Sequence, residues 1–414
     1  MKYDFDKIID RSGTYCYKWG NQPDGRELPM WVADMDFQTA PEVMEAVIAR
    51  AQHGIFGYTE VPDEWAQAYV SWWKMRHGAD LDAEKLIFCT GVVPAISSII
   101  RKLSTPAEKV LIQPPVYNIF YNCILNNGRQ VLESPLKTVP CAGSGASAEK
   151  SGDLIYELSY EIDFDDLAVK LADPQCSLMI LCNPQNPSGR IWTREELARV
   201  GELAAANGVI VISDEIHCDL SDPGTEYVPF ITASEICRRV GVSCFAPSKA
   251  FNIAGLGSAA VYAQDPVIRH RVWRALNTDE IGEPGAFAVQ AAIAAFTKGE
   301  DWLKELCAYI YENKKLAASF IRAELPEIKI VGGSATYLIW IDISAITEND
   351  AAFQKFLRKE TGLWVAAGSG YGSAGKGFLR INLACPRSMV EDGLARLKKG
   401  VEAFRAEYCM IHHI

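Results

Sequence analysis

No stretch of this 414-residue chain approaches the ~18 uninterrupted apolar residues that cross a bilayer, the nearest being short runs such as GVIVIS. A membrane span is not expected. Basic clusters are missing too: 41 Lys and Arg stand against 52 Asp and Glu, and the net charge of −11 repels nucleic-acid phosphates and anionic lipid heads. Neither nucleic acid nor a membrane is an expected partner. The opening MKYDFDKIID mixes acidic and aromatic residues where a secretory signal needs a basic start and an apolar core, so the expected location is the cytoplasm. Neither CxxC nor HExxH occurs, and the six histidines are mostly far apart, with His412 and His413 at what reads as a frayed end. No metal site is expected. The twelve cysteines fall singly from Cys16 to Cys409, a pattern of small buried hydrophobes in a reducing compartment rather than of disulfides. The like-charge pairs Lys314-Lys315 and Lys398-Lys399 read as solvated helix faces.

What is present is enough to build a large core. Hydrophobic residues make up 49% and charged residues 22%, which excludes global disorder, and the length suggests two or three domains. The middle of the chain alternates short β-branched runs with helical patterns, the signature of βαβ units around a mostly parallel sheet. Candidate strands end at Gly91, Gln113, Asn183, Asp214, Ala246 and Ala263, and several are apolar throughout, as strands covered on both faces are. In TREELARVGELAAANG, Thr193 and Glu196 fit a capping box, Leu197, Val200, Leu203 and Ala204 recur at helical spacing, and Gly208 closes the helix. Residues 1–45 and 285–414 are expected to form a smaller α+β domain, with an antiparallel patch around KIVGGSATYLIWIDIS and GFLRINLA, and residues 46–284 a larger one. The Gly, Ser and Ala-rich residues 138–153 read as a solvent loop.

In an open α/β sheet the ligand crevice lies beyond the carboxyl ends of the strands. Taken singly, the residues there are ordinary. Lys249 in APSKAFN is a loop lysine, Asp214 a helix cap or turn former, and Asn186 in NPQNPSG a turn residue. Together they meet the needs of one cofactor. Pyridoxal phosphate requires a lysine for a Schiff base and an acid that keeps the ring nitrogen protonated, roles open to Lys249 and Asp214. A turn after Gly91 runs straight into the helical pattern VVPAISSIIRKL, so the amides of Val92 and Val93 offer an anion site, to which Ser248 adds a hydroxyl. Tyr117 in PPVYNIF follows the next strand, where its ring can stack on the cofactor.

The segments LPMWVADMDF, FGYTEVPDEW, CNPQNPSGRIW, SDEIHCDL, APSKAFNIAGL and GFLRINLACPR, in that order over nearly the whole chain, resemble fold-type I pyridoxal-phosphate enzymes. Within the class I/II aminotransferase superfamily the similarity is to the MalY/PatB-type cystathionine β-lyase branch. The resemblance implies a large domain with a mostly parallel sheet and a smaller α+β domain. It implies that Lys249 bonds the cofactor covalently, Asp214 pairs with the ring nitrogen, Asn186 donates to the ring hydroxyl and Tyr117 stacks on the ring. Tyr58 is implied to reach the phosphate of a neighbouring subunit, which makes the active unit a homodimer. Arg380 matches the arginine that grips the substrate α-carboxylate, its plainer alternative being a strand-face salt bridge, and Ala33 falls with it on the substrate side. Two positions depart from the related aminotransferases. His217 stands where they carry a tyrosine for the ring hydroxyl, so it too faces the cofactor, and Gly257 stands where they carry a phosphate-binding arginine. The second change leaves the phosphate to backbone amides, Ser248 and Tyr58, with a weaker expected grip.

The activity implied is elimination of a thiol from an S-substituted cysteine such as cystathionine, giving pyruvate and ammonia, with Lys249 as base for the Cα proton. An aminotransferase is the nearest alternative, since both reactions share their early steps. A regulatory protein-binding role is an alternative of another class, because members of this family have been associated with sequestering a transcription activator. No helix-turn-helix is evident in the sequence.

Overall fold

The computed structural model describes residues 2–20, 25–141, 154 and 156–411, the last four without their side chains. Its central sheet is built from β1 (Leu86–Cys89), β2 (Lys109–Ile112), β3 (Gln130–Glu133), β4 (Cys176–Cys182), β5 (Ile210–Asp214), β6 (Gly241–Phe245) and β7 (Ala259–Ala263). Their spatial order is β1-β7-β6-β5-β4-β2-β3. All neighbours run parallel except β7, which is antiparallel to both β1 and β6. The unbroken apolar runs have a direct cause in this geometry. Alternate residues of a strand point to opposite faces, and both faces here are covered: Leu178, Ile180 and Cys182 of β4 enter one core layer, while Met179 and Leu181 enter the other. Each such aliphatic side chain gains roughly 1.5–3 kcal/mol from burial.

One layer contains helix Val92–Leu103, whose Val92, Ile96, Ile99, Ile100 and Leu103 are all buried. On the other lies helix Arg194–Ala206, where both halves of the expected capping box are made: Thr193 Oγ1 accepts from the Glu196 amide at 3.2 Å, and Glu196 Oε2 accepts from the Thr193 amide at 2.7 Å. Six of the strands coincide with those expected from sequence. The seventh, β3, is an edge strand of four half-buried or exposed residues, QVLE, with too little apolar content to stand out.

A second sheet has the order 366–367, 378–382, 338–342, 329–331, 158–161, 137–140. It is antiparallel except where Val331 pairs with Leu158. Two 25-residue helices, Glu300–Glu324 and Arg387–Ile411, belong to the same half of the chain, and Ala317, Ile321, Val390, Leu394 and Leu397 share a core with Ile339, Ile341, Leu379 and Ile381. Two expectations are corrected. Lys137–Pro140 is a strand paired with Leu158–Glu161 rather than the start of a loop, because its partner supplies the hydrogen bonds that a turn-rich sequence conceals; residues 142–153 of that loop, and His412 and His413, lie outside the described residues. Lys314 is buried instead of solvated, held by Asp222 at 2.6 Å and by the Ala335 carbonyl at 3.1 Å.

Candidate active site

Strand ends of the first sheet, two strands of the second (366–367 and 378–382) and residues 31–33 enclose a cavity of about 590 Å³. Among the residues singled out from sequence, it brings together Ala33, Val92, Val93, Tyr117, Asn186, Asp214, His217, Ser248, Lys249 and Arg380. Tyr58 is not among them. It is fully exposed, on an extended stretch after helix Pro41–His53. Gly257 is in the left-handed region at φ 63°, and an added Cβ there sits 3.3 Å from the Thr90 carbonyl, so the backbone itself disfavours an arginine at this position.

Asp214 closes β5 and is buried, with Oδ1 accepting from the Ile216 amide at 3.1 Å. Burial pushes its carboxyl up to about 7, opposed by that amide and by the nearby Lys249. Lys249 follows β6, and its Nζ donates to the Ala33 carbonyl at 2.6 Å. Burial and then the positive charge of Arg380 draw its amine down to about 8. His217 is buried with Nδ1 lacking a partner, and burial draws the imidazole down to about 3, so it is neutral. Tyr117 is pushed up to about 12, chiefly by burial, and stays a phenol.

Gly91 is extended and leads into helix Val92–Leu103 without any side-chain cap, so the first amides of the helix point out unclaimed by a cap. Ser248 and Ser258 line the same end. At the opposite end Arg380 projects from strand Phe378–Asn382. Its guanidinium donates to Asn186 Oδ1 at 3.0 Å and to the Trp31 carbonyl at 2.8 Å, and it lies 5.0 Å from the Tyr371 ring centre. Its Nε is buried without a partner, and no carboxylate within ion-pair distance is found among the described residues. The salt-bridge alternative is thereby overturned. A buried guanidinium with only neutral partners keeps its charge uncompensated and is able to take an anion.

The segment 31–36 is fixed from two sides. Asn382 Nδ2 donates to the carbonyls of Val32 and Asp34, both at 2.6 Å, and Asn252 Nδ2 donates to Met35 and Phe37 at 3.0 and 2.9 Å. From the amino-terminal stretch, Lys18 pairs with Asp36 at 2.6 Å and Arg11 with Asp34 at 2.8 Å. This clasp places the Ala33 carbonyl where it accepts both Lys249 and the Tyr337 hydroxyl, the latter at 2.9 Å. Sequence reasoning missed Tyr17, Trp31, Tyr337, Ala366, Ala367 and Tyr371. Trp31 and Tyr337 lie inside quoted segments, and the others carry no spacing signal, since aromatic and small residues are equally at home in a core. A separate group, His77, Cys218 and Asp219, has the geometry to approach a metal ion, but Asp219 already accepts from Trp72 at 2.9 Å and has Arg76 beside it, which marks it as a structural ion cluster.

Comparison with known proteins places these residues in context. The family model for aminotransferase class I and II matches residues 29–397. The chain is 42% identical to cystathionine beta-lyase PatB of Bacillus subtilis, over 95% of this chain and 98% of that protein. It is 34% identical to protein MalY of Escherichia coli, over 97% and 100%. Among solved structures, cystalysin from Treponema denticola, which contains a pyridoxal 5'-phosphate cofactor, superposes with a TM-score of 0.89 at 30% identity, covering 97% of this chain and all of that one.

Proposed function

Since this chain belongs to the aminotransferase class I and II family, we infer that it is a pyridoxal-phosphate-dependent carbon–sulfur β-lyase, which eliminates a thiol from an S-substituted cysteine and leaves pyruvate and ammonia. The observation that carries this reading on the side of the site is a buried Arg380, with no carboxylate partner among the described residues, facing the same cavity as a buried amine and a buried acid.

The cavity fits the cofactor. Uncapped amides at Val92 and Val93 with Ser248 suit its phosphate, buried Asp214 its ring nitrogen, the Tyr117 face its ring, and the Asn186 side-chain amide its hydroxyl. His217 lines the same pocket as a neutral imidazole with a free nitrogen. When bound, pyridoxal phosphate supplies an aldehyde that condenses with amines and a protonated ring that accepts an electron pair from Cα. Arg380 binds the substrate α-carboxylate through its fork of N–H donors, with Ala33 at its side. Lys249, drawn down to about 8, is partly neutral near physiological pH and takes the Cα proton. Asp214 holds the proton on the ring nitrogen. With Cα–H broken, the Cβ–S bond releases a thiolate, and water converts the remaining enamine to pyruvate and ammonia.

Tyr58 acts from the second subunit of a homodimer in this reading. Its full exposure, and its absence from the cavity lining of its own chain, support that assignment. The cytoplasm is the proposed location, supported by cysteines that are unpaired and mostly buried among the described residues. The test is to incubate the cofactor-loaded protein with S-substituted cysteines and measure pyruvate and free thiol in equal amounts. A 2-oxo acid that keeps its sulfur would identify a transaminase instead.

A further inference from the structure

The reaction accounts for each charged group lining the cavity. Asp214 and Lys249 face the cofactor and Arg380 takes the α-carboxylate; His217 is buried and neutral. No other Asp, Glu, Lys or Arg lines it among the described residues. The wall around Arg380 has a different character. Trp31 accepts the guanidinium on its carbonyl at 2.8 Å, Tyr371 presents its ring 5.0 Å away, and Ala366 lies directly across from Arg380 in the antiparallel register. Ala367, Gly370 and Tyr17 line the same cavity.

A substrate whose carboxylate sits on Arg380 therefore projects its sulfur substituent among aromatic rings and small residues. These rings are braced: Trp31 stacks on Trp364 at 4.5 Å and 13°, with Tyr17 5.3 Å away on the other contact, and Tyr371 packs on Trp340 at 5.2 Å. A braced aromatic wall rewards contact with an apolar or aromatic group, and among the described residues it holds no cationic side chain beyond Lys249 and Arg380 to pair with a second carboxylate. Cystathionine carries an ammonium and a carboxylate at the far end of its leaving group, and that carboxylate finds no cationic side chain in the lining beyond Lys249 and Arg380, which the reaction already uses.

Resting on the lyase reading, we propose that this wall selects cysteine conjugates with an uncharged aromatic or bulky apolar substituent over cystathionine. Trp31, Tyr17 and Tyr371 are the specificity-determining side chains. The experiment compares S-benzylcysteine, S-methylcysteine and cystathionine as substrates of the cofactor-loaded protein, reading pyruvate. The expected kcat/KM for S-benzylcysteine exceeds that for cystathionine by about tenfold or more. Trp31→Ala should lower the ratio of S-benzyl to S-methyl turnover several-fold, since the side chain goes while the backbone carbonyl that holds Arg380 remains. Calorimetric binding separates recognition from chemistry: homophenylalanine, which has no leaving group, should bind about tenfold more tightly than the doubly zwitterionic diaminopimelate. Cystathionine equal to or better than S-benzylcysteine, or diaminopimelate binding as tightly as homophenylalanine, overturns the inference. Absence of pyruvate from all three substrates, with homophenylalanine still preferred in the binding assay, would overturn the lyase reading while supporting the selectivity of the wall.

Discussion

Asp214 and His217 sit in the same cavity, and burial moves both toward neutrality, the acid up to about 7 and the base down to about 3. For the cofactor-free protein the acid has a defined consequence. Its folded value lies above the ordinary 3.8, so between these limits the folded state binds more protons than the unfolded one, and stability falls as pH rises through that window. Asp214→Asn removes the buried charge. Melting of the cofactor-free variant should exceed that of the parent at pH 8 by an amount worth roughly 1–3 kcal/mol, and the gap should close toward pH 4. The same variant should lose nearly all pyruvate production, because an amide cannot hold the ring nitrogen protonated. A parent whose melting temperature gains as much between pH 4 and 8 as the variant's would show that the carboxyl is ionised without penalty. Lys249 shows the same burial acting in the opposite direction, and its role is the simplest to check: Lys249→Ala should yield no pyruvate and no borohydride-trapped label on the chain.

Strands and helices carry the proposed phosphate end of the site, and here the sequence was most readable. A turn at Gly91 feeding the apolar helix Val92–Leu103 exposes amides wherever such a junction occurs. Val92→Pro tests them, since proline suits the first helical position and the extended Gly91 tolerates a following proline. The helix should persist by circular dichroism while the dissociation constant for the cofactor rises roughly tenfold, the worth of one hydrogen bond to a charged group. Unchanged affinity would move the phosphate elsewhere. Buried parallel strands were legible for the same kind of reason, being continuous apolar runs between turn signals. The edge strand β3 and the strand Lys137–Pro140 were not, because pairing on one side leaves half of each exposed and polar. Lys314 was misread because its partner Asp222 lies 92 residues away. Likewise Ala366 and Tyr371 reach the site only through the antiparallel pairing of Ala366 with Arg380 and the packing of Tyr371 on Trp340, relations that no local pattern encodes.

At the scale of the whole molecule, five of the exposed large apolar side chains fall between residues 44 and 58. Helix Pro41–His53 exposes Met44 and Ile48, and the stretch after it exposes Ile55, Phe56 and Tyr58. Exposed apolar groups close together suit a contact face, and in the proposed homodimer a second copy covers them and brings Tyr58 to the phosphate. Two-fold pairing makes this delivery reciprocal, each subunit completing the other's site. Tyr58→Ala and Lys249→Ala then damage different halves of one composite site. Each variant alone should be strongly impaired. Unfolded together and refolded at equal amounts, half of the dimers become mixed, and in each of these one site has both an intact lysine and an intact partner tyrosine. Activity should recover to about a quarter of the parent's. If Tyr58 served the cavity of its own chain, the mixture would instead show only the average of the two impaired parents, and sedimentation of the mixed species would confirm that dimers had formed.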